Sequence, residues 1–469
     1  MEHSTLTLTV LLVVFAIVYA VYKATRLTVL DNILGPVSKS FLLGNLGELM
    51  QNQAGATEFS WQETYGDVVK FKASFGMDRL LISDPKGKFV ALPEQIQPPN
   101  NCFLLALQHI LMTSGYRWRK YRERKELSRL TSGKGLLWAD GNAHRRQRKV
   151  MLPGFGTPEA KNFLPLFFSC AATISRRWSD ILFTSDNQSY IFNIPEWTSR
   201  ATLDAIGQAA FDYDFGATDD HENELGKVYQ NMLLRAFGSP STGALVTLEL
   251  FRFLPTPITE FINDHNPSPR LTSIHKVTKV ANAVARELVL TKSNALLENK
   301  GKNDIMSLLV KANAGENPKA QLSDAELISQ MRVLLLAGHE TTANSLSWLF
   351  YELVRDLELQ KKLRAEIRAT EKVAAARGDP ELSVRDLEGM PLLGATVKEL
   401  LRYHPVAIHM FRVAHEDDVL PLSTPITTTT GELLTELPVP KGTRTVISIP
   451  AYNRNKELFG EGELYARPY

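Results

Sequence analysis

A polar hexapeptide, AGHETT at residues 337–342, interrupts an otherwise apolar helical pattern. A glycine inside a helix costs roughly 1 kcal/mol relative to alanine, and threonine side chains compete for backbone hydrogen bonds. Local stability therefore does not explain these residues. Glu340 and Thr341 place an acid beside an alcohol, a pair that can deliver protons to a bound reactant. The small residues Ala337 and Gly338 would let a bulky flat ligand approach the backbone.

Two other interpretations of this hexapeptide lead to different conclusions. A zinc protease helix of the form HExxH needs a second histidine four residues after His339, but that position holds Ala343, which excludes such a site. A kinked core helix with satisfied polar groups is the other alternative, and the hexapeptide alone leaves it open.

Two further segments carry charged residues at helical spacing. In KELLRYHP, Glu399 and Arg402 stand three residues apart on one predicted helical face, where an ion pair can form. In GNAHRRQRKVMLPGF, His144 and Arg148 are one helical turn apart within a basic cluster at residues 145–149. A solvated basic face explains this second segment, and so does an anion site, if an acidic group docks there.

The elements that must position these residues are mainly helical. Ser323 and Glu326 form an S-x-x-E capping box, and the apolar run continues to Leu349, which predicts one long buried helix around the hexapeptide. Helical patterns dominate from residue 113 to about residue 377. Segments rich in β-formers flank residues 76–78, as in a hairpin, and strand patterns return in the C-terminal part. The sequence therefore predicts a mainly α fold with small β sheets.

Composition excludes several classes of protein. The 469 residues are 44% hydrophobic and 9% aromatic, as in a globular protein with a sizeable core. The formal net charge of +2 gives no support for a nucleic-acid binder with a basic surface, so we expect no nucleic-acid partner. The two cysteines, Cys102 and Cys170, cannot form a disulfide framework or a zinc cluster, which favours a reducing compartment.

The first residues carry a candidate membrane anchor. The uncharged apolar run Leu6–Tyr22 would be about 25 Å long as a helix, near the lower limit for spanning a bilayer. A cleaved signal peptide is the alternative, but no Lys or Arg precedes the run. Lys23 and Arg26 follow it, so the positive-inside rule places the body of the protein in the cytosol. We expect residues 1–26 to be a single-pass anchor in the endoplasmic reticulum membrane, and residues 27–50 to be a hinge containing Gly and Pro.

The order of the motifs resembles that of membrane-bound cytochrome P450 monooxygenases of fungal type. The resemblance rests on HRRQRKVMLPGF, AGHETT, ELLRYHP, Arg412 eight residues after His404, and PVPKGTRTVISIPAYNRNKELFG. It implies a haem-thiolate fold over residues 51–469, with haem b as the iron cofactor. It also implies that NADPH supplies electrons through NADPH-cytochrome P450 reductase. The implied reaction inserts one oxygen atom from dioxygen into an apolar small molecule, in fungal secondary metabolism.

The resemblance also implies roles for the central hexapeptide. Ala337 and Gly338 would line the oxygen-binding groove over the haem, while Glu340 and Thr341 would relay protons to the bound dioxygen. The ExxR pair described above would be a structural ion pair that supports the haem loop.

The same resemblance implies two roles for the basic segment. His144, which stands where many relatives have Trp, would contact the haem propionates together with Arg148 and Arg412. Exposed members of the cluster at residues 145–149 would dock the acidic face of the reductase, in an encounter that weakens with salt.

The match ends before the iron ligand of the family. That ligand is a Cys in a loop of the form FxxGxRxCxG after the NRNKELFG segment, and the sequence stops at Tyr469 before such a loop. Neither Cys102 nor Cys170 lies in one, so we assign no metal ligand and expect no thiolate-ligated haem spectrum from the chain as written. The alternative function is a truncated, non-catalytic relative that only binds membranes or partners. A haem-thiolate isomerase or dehydratase is a third candidate, which the intact acid and alcohol of the hexapeptide disfavour.

An internal departure from the family pattern lies at residues 87–105. The segment GKFVALPEQIQPPNNCFLL separates ISDPK from ALQHILMTSGYRWRK, and its deletion restores the family pattern. The tripeptide at its start can be encoded as GGTAAGTTT, which contains a sequence like a splice donor. We hypothesise that this insert derives from a retained short intron.

Overall fold

The computed structural model describes residues 29–84, 106–219, 238–298, 304–315 and 321–460, together with residues 226, 229 and 232. The expected membrane anchor at residues 1–26 and the insert at residues 87–105 lie outside these residues. The chain divides into two compact units. The first comprises Met1–Leu49, Ala56–Trp118 and Phe411–Ser448, and the second comprises Met50–Gly55, Arg119–Met410 and Ile449–Tyr469.

The predicted hairpin is present in the first unit. Strand β1 (Val68–Lys72) pairs antiparallel with strand β2 (Asp78–Ile82), so that the first residue of each strand lies opposite the last residue of the other. The chain reverses through Phe75 and Gly76, whose φ angles of 62° and 67° lie in the left-handed region. That region suits the glycine and is uncommon for the phenylalanine.

Two small sheets confirm the strand patterns of the sequence. The remaining strands are β3 (Trp118–Lys120), β4 (His409–Ala414), β5 (Asp418–Thr427), β6 (Leu433–Val439) and β7 (Arg444–Ser448). One sheet has the order β1-β2-β7-β4-β3, with β2 and β7 parallel, and the other is the antiparallel pair β5-β6. The side chains of Leu80, Ile82, Val446 and Ile447 are at most 1% exposed and form the centre of the larger sheet.

Helices make up most of the remaining described chain. Those before the central hexapeptide are α1 (Leu46–Gln51), α2 (Ala56–Tyr65), α3 (Ala106–Gln108), α4 (Arg122–Ser132), α5 (Gly141–Met151), α6 (Thr157–Asn162), α7 (Leu164–Thr184), α8 (Ile194–Phe211), α9 (Thr242–Phe251), α10 (Thr256–His265), α11 (Pro269–Leu297) and α12 (Ile305–Asn313). Those that contain or follow it are α13 (Asp324–Gly338), α14 (Glu340–Arg355), α15 (Leu357–Arg377), α16 (Val384–Glu388), α17 (Pro391–Tyr403), α18 (Ile449–Asn453) and α19 (Lys456–Phe459). The core of the second unit is built from apolar residues of α5, α8, α11, α12 and α13. The prediction of a mainly α fold with small sheets is confirmed.

The predicted long helix is only partly correct. It begins where expected, because Ser323 and Glu326 make both hydrogen bonds of the capping box. It does not run unbroken to Leu349, since α13 ends at Gly338 and a separate helix, α14, begins at Glu340. Within the described ranges, no helix is both long enough and apolar enough to cross a membrane.

Candidate functional site

The central hexapeptide forms a break between α13 and α14. His339 has φ −79° and ψ −82°, well away from the helical ψ near −42°. Backbone hydrogen bonds continue on both sides, because its N–H donates to Leu335 (3.3 Å) and its carbonyl accepts from the N–H of Ala343 (3.2 Å). The Thr341 hydroxyl donates to the carbonyl of Ala337. Threonine bonds of this type bend helices, so the sequence itself contributes to the break.

His339 anchors this break to another helix. Its side chain is 2% exposed, and its Nε2 lies 2.8 Å from the Oγ of Ser199 on α8. Burial lowers the pKa of His339 to about 4, although the interaction with Ser199 opposes this shift. The imidazole is therefore neutral at pH 7. No local sequence pattern indicates this contact, since the two residues are 140 positions apart.

Gly338 has a packing role that the sequence did not reveal. A Cβ atom built at this position would lie 2.7 Å from Cδ1 and 2.8 Å from Cγ1 of Ile206 on α8. Any other residue would push against that side chain. From the sequence, we predicted that this glycine lets a ligand approach the backbone. The contact with Ile206 adds a second reason, the close approach of α8 and α13.

The residues around the break differ sharply in exposure. Residues 331–336 and 339–340 are buried, with Glu340 at 9% exposure, whereas Ala337 is exposed and Thr341 is half-buried. Ala337 and Thr341 are four residues apart and are joined by the hydroxyl-to-carbonyl bond, so they share one face. An open face with small side chains beside a buried carboxyl group fits a flat cofactor such as haem next to an acid.

Helix α5 is tied to the start of α13 by polar contacts. Arg146 forms an ion pair with Glu326 at 2.5 Å, and Gln147 donates to the same carboxylate at 3.1 Å. Gln330 in turn donates to the Gln147 side chain at 3.0 Å. Burial acts to raise the pKa of Glu326, but hydrogen bonds from Arg146, the backbone of Ser323 and Gln147 outweigh it and lower the pKa to about 2. These contacts fix the helix that carries the predicted anion-binding residues.

The basic cluster at residues 145–149 divides into internal and exposed members. Arg146 belongs to the internal ion pair and is therefore not an open docking residue, whereas Arg145, Arg148 and Lys149 are exposed. His144 is half-buried, one turn before Arg148 on α5. In the part of the chain that the structure describes, the Arg148 side chain has no hydrogen-bond or ion-pair partner.

Glu399 and Arg402 form a two-point ion pair on α17. The Nε and Nη2 atoms of Arg402 lie 2.7 and 2.5 Å from the two carboxylate oxygens of Glu399. The side chain of Glu399 is only 13% exposed and that of Arg402 only 11%. Arg402 also donates to the carbonyl of Asn453 on α18 and lies 4.8 Å from the ring centre of Phe459 on α19. The pair thus connects α17 to the two helices that follow the last strand.

Arg412 lies on β4 in the first unit, whereas the other candidate residues belong to the second unit. Its Nη1 donates to the carbonyl of Phe411 at 2.9 Å, and its own carbonyl accepts from the Thr445 hydroxyl at 3.2 Å. The contact with Thr445 ties the Arg412 backbone to β7.

A second histidine contact was also missed. His404, at the end of α17, lies 2.8 Å from a carboxylate oxygen of Glu352 on α14 and stacks on Trp348 at a centroid distance of 4.0 Å. Burial lowers the pKa of His404, against the opposing effect of Glu352. The contact joins α17 to α14, and no local sequence pattern predicts it.

Cys170 lies on α7 and is half-buried. Burial, reinforced by the nearby carboxylates of Asp204 and Asp214, raises the pKa of its thiol to about 11. Iron is bound by the thiolate, so the raised pKa makes the deprotonation that metal binding requires more costly for Cys170 than for an ordinary cysteine. Cys102 lies outside the described residues, and within them no group of three or more His, Cys, Asp or Glu side chains is arranged to hold a metal ion.

The mainly helical fold, the broken helix with its acid and alcohol, and the ExxR ion pair are the features expected of a haem-dependent oxygenase. The chain belongs to the cytochrome P450 family, whose model matches residues 104–466. It is 30% identical over 443 residues to the cytochrome P450 monooxygenase claQ of Ampulloclitocybe clavipes, covering 92% of this chain and 75% of that protein. It is 31% identical over 441 residues to cytochrome P450 monooxygenase 91 of Postia placenta, covering 92% and 76%. A third relative, cytochrome P450 monooxygenase 205 of the same species, is 30% identical over 97% of this chain and 80% of its own length.

The predicted family is therefore confirmed, and the protein is an enzyme of the cytochrome P450 monooxygenase class. Membership of this family implies haem iron as the cofactor.

Proposed function

We propose that this enzyme inserts one oxygen atom from dioxygen into an apolar small molecule, with electrons that NADPH supplies through NADPH-cytochrome P450 reductase. Bound haem supplies the oxygen chemistry. The observation that carries the proposal is the break between α13 and α14, where buried Glu340 adjoins Thr341 beside the open position of Ala337. The relatives named above are fungal monooxygenases, which supports a role in fungal secondary metabolism and gives no support to a non-catalytic binding protein.

The two polar residues at the break have separate tasks in this proposal. The Thr341 hydroxyl donates its single proton to the Ala337 carbonyl, so its oxygen can accept a hydrogen bond from a group at the open face, and relaying a proton requires that the bond to Ala337 be exchanged. Glu340 is the neighbouring acid, and its burial keeps bulk water away from it. Proton transfer by a positioned side chain of this kind contributes about 10²- to 10⁴-fold to a rate.

Cationic side chains are proposed for the carboxylates of haem. His144 and Arg148 on α5 would bind them through charge-assisted hydrogen bonds. The family pattern gives Arg412 the same role. Support comes from Arg148, whose exposed guanidinium has no partner among the described residues and shares a helical face with His144. The ion pair of Glu399 and Arg402 would brace the chain that follows α19.

Reductase docking and membrane attachment belong to the same proposal. Exposed Arg145 and Lys149 give α5 a positive surface that would attract an acidic partner, and this attraction would weaken as salt rises. The apolar run within residues 1–26 would hold the enzyme at the endoplasmic reticulum membrane through a hinge at residues 27–50. The catalytic body would face the cytosol.

The proton-delivery role is tested by Thr341→Ala in the haem-loaded enzyme. NADPH consumption should continue, while product formed per NADPH falls by about tenfold or more because the positioned hydroxyl of the proton relay is lost. Reducing equivalents should appear as hydrogen peroxide. Thr342→Ala is the matched control, since Thr342 is the adjacent, exposed threonine. Unchanged coupling in Thr341→Ala, or an equal loss in both variants, would show that the assignment is wrong.

A further inference from the structure

Helix α8 contacts the break at two points on one of its faces. Ser199 Oγ lies 2.8 Å from the Nε2 of His339. Two turns further along, Ile206 packs against the position where Gly338 lacks a side chain. Both contacts fall on consecutive residues of the broken segment, at the last residue of α13 and at the non-helical residue itself.

The alternative conformation of this segment is a continuous helix. The apolar pattern runs through both α13 and α14, and backbone hydrogen bonds bridge the break, so only the ψ of His339 departs strongly from helical geometry. The bond from the Thr341 hydroxyl to the Ala337 carbonyl favours the broken form, and tertiary contacts add to this preference. A neutral, 2% exposed imidazole needs a hydrogen-bond partner in the interior, and Ser199 supplies it in the broken form.

We propose that Ser199 is a positioning residue for the monooxygenase reaction, and that its hydrogen bond to His339 holds the break and keeps the Thr341 hydroxyl on the Ala337 carbonyl. Because Ser199 and His339 are far apart in the sequence, no local motif indicates the role of Ser199. The part that concerns Thr341 rests on the proposed function, whereas the part that concerns the break does not.

A matched pair of hydroxyl contacts allows this inference to be tested. Thr198, adjacent to Ser199 on α8, has its Oγ1 2.9 Å from the Oγ of Ser347 on α14, two turns beyond the break. Ser347→Ala therefore removes this contact between α8 and α14, together with the bond from the Ser347 hydroxyl to the Ala343 carbonyl, without touching His339. Ser199→Ala removes the bond at the break, and Ser199→Thr keeps a hydroxyl there.

The first measurement is amide hydrogen exchange of residues 337–345 in the full-length, haem-loaded protein. Ser199→Ala should speed exchange of this segment about fivefold, the ratio that corresponds to a lost hydrogen bond of about 1 kcal/mol. Ser347→Ala should leave the segment near the wild-type rate, and Ser199→Thr should restore it. Equal acceleration in Ser199→Ala and Ser347→Ala, or none in either, would overturn the proposal. Failure of Ser199→Thr to restore the rate would also count against it.

The second measurement is product formed per NADPH in the same proteins. Ser199→Ala should lower this ratio, by less than Thr341→Ala does, with the ratio of Ser347→Ala unchanged. If exchange rises in Ser199→Ala but coupling falls only in Thr341→Ala, then the break does not position Thr341. If coupling is unaffected in Thr341→Ala, the proposed function fails, and the exchange result alone then decides whether Ser199 holds the break.

Discussion

Gly338→Ala distinguishes the two reasons for a glycine at the end of α13. A new Cβ atom would lie 2.7 and 2.8 Å from two atoms of Ile206, closer than carbon atoms pack without displacement. Overpacking of this kind costs about 1–3 kcal/mol, whereas replacing a helical glycine by alanine gains about 0.5–1 kcal/mol. The overpacking term is the larger, so we expect a net loss of about 1 kcal/mol of folding free energy.

Truncating the Ile206 side chain should reverse the sign of the effect of Gly338→Ala on folding free energy. In an Ile206→Ala background both contacting atoms are absent, so Gly338→Ala should stabilise the protein by about 0.5–1 kcal/mol. The coupling energy between the two positions should then be about 1–3 kcal/mol, obtained from urea unfolding of the four proteins. Gly394→Ala on α17 is a matched control, because a Cβ there would have no atom within 4 Å and should only stabilise.

The result that refutes this reasoning is an equal cost of Gly338→Ala in both backgrounds. The added methyl group would then meet something other than Ile206. Haem content measured in the same samples separates the explanations, because loss of haem from Gly338→Ala in both backgrounds would restore the interpretation of close ligand approach. Retained haem together with a sign reversal would assign the glycine to helix packing.

Three further perturbations test the polar contacts around the site. The pKa of Glu326 is lowered to about 2 from 4.5 in the fold, so its contribution to stability is complete above about pH 4.5 and is lost as the pH falls towards 2. Glu326→Gln should therefore be less stable at pH 7 and should show a shallower loss over that range in unfolding measured at several pH values. Arg402→Lys cannot make the two-point contact with Glu399 and should cost about 2 kcal/mol in urea unfolding, because a hydrogen bond between charged, largely buried groups is lost. A midpoint equal to the wild type would contradict this. Arg148→Leu and Arg412→Leu should each lower haem retention during gel filtration, because a haem carboxylate would lose its charged partner, and full occupancy in both would refute the proposed site.

Features that depend on neighbours in the sequence were predictable. The capping box at Ser323 fixes the start of α13, because its two hydrogen bonds involve residues only three positions apart. The i, i+3 spacing of Glu399 and Arg402 places both on one face of α17, where they do pair. Alternating β-formers on either side of the Phe75 turn gave the hairpin of β1 and β2. The order of such local motifs along the chain was also enough to predict the family.

The break within the long helix depends on tertiary contacts as well as on the local bond of the Thr341 hydroxyl. Its hydrophobic pattern is continuous, so periodicity predicts a single helix, and nothing near His339 in the sequence indicates where its imidazole will find a partner. That partner, Ser199, and the obstacle Ile206 both come from α8, more than 100 positions earlier. Similarly, the sequence places Arg146 in a basic cluster with a solvated face, whereas in the structure Arg146 forms an ion pair with Glu326. Sequence spacing determines which residues share a face of one helix, whereas only the packing of helices distant in sequence determines which buried polar groups meet.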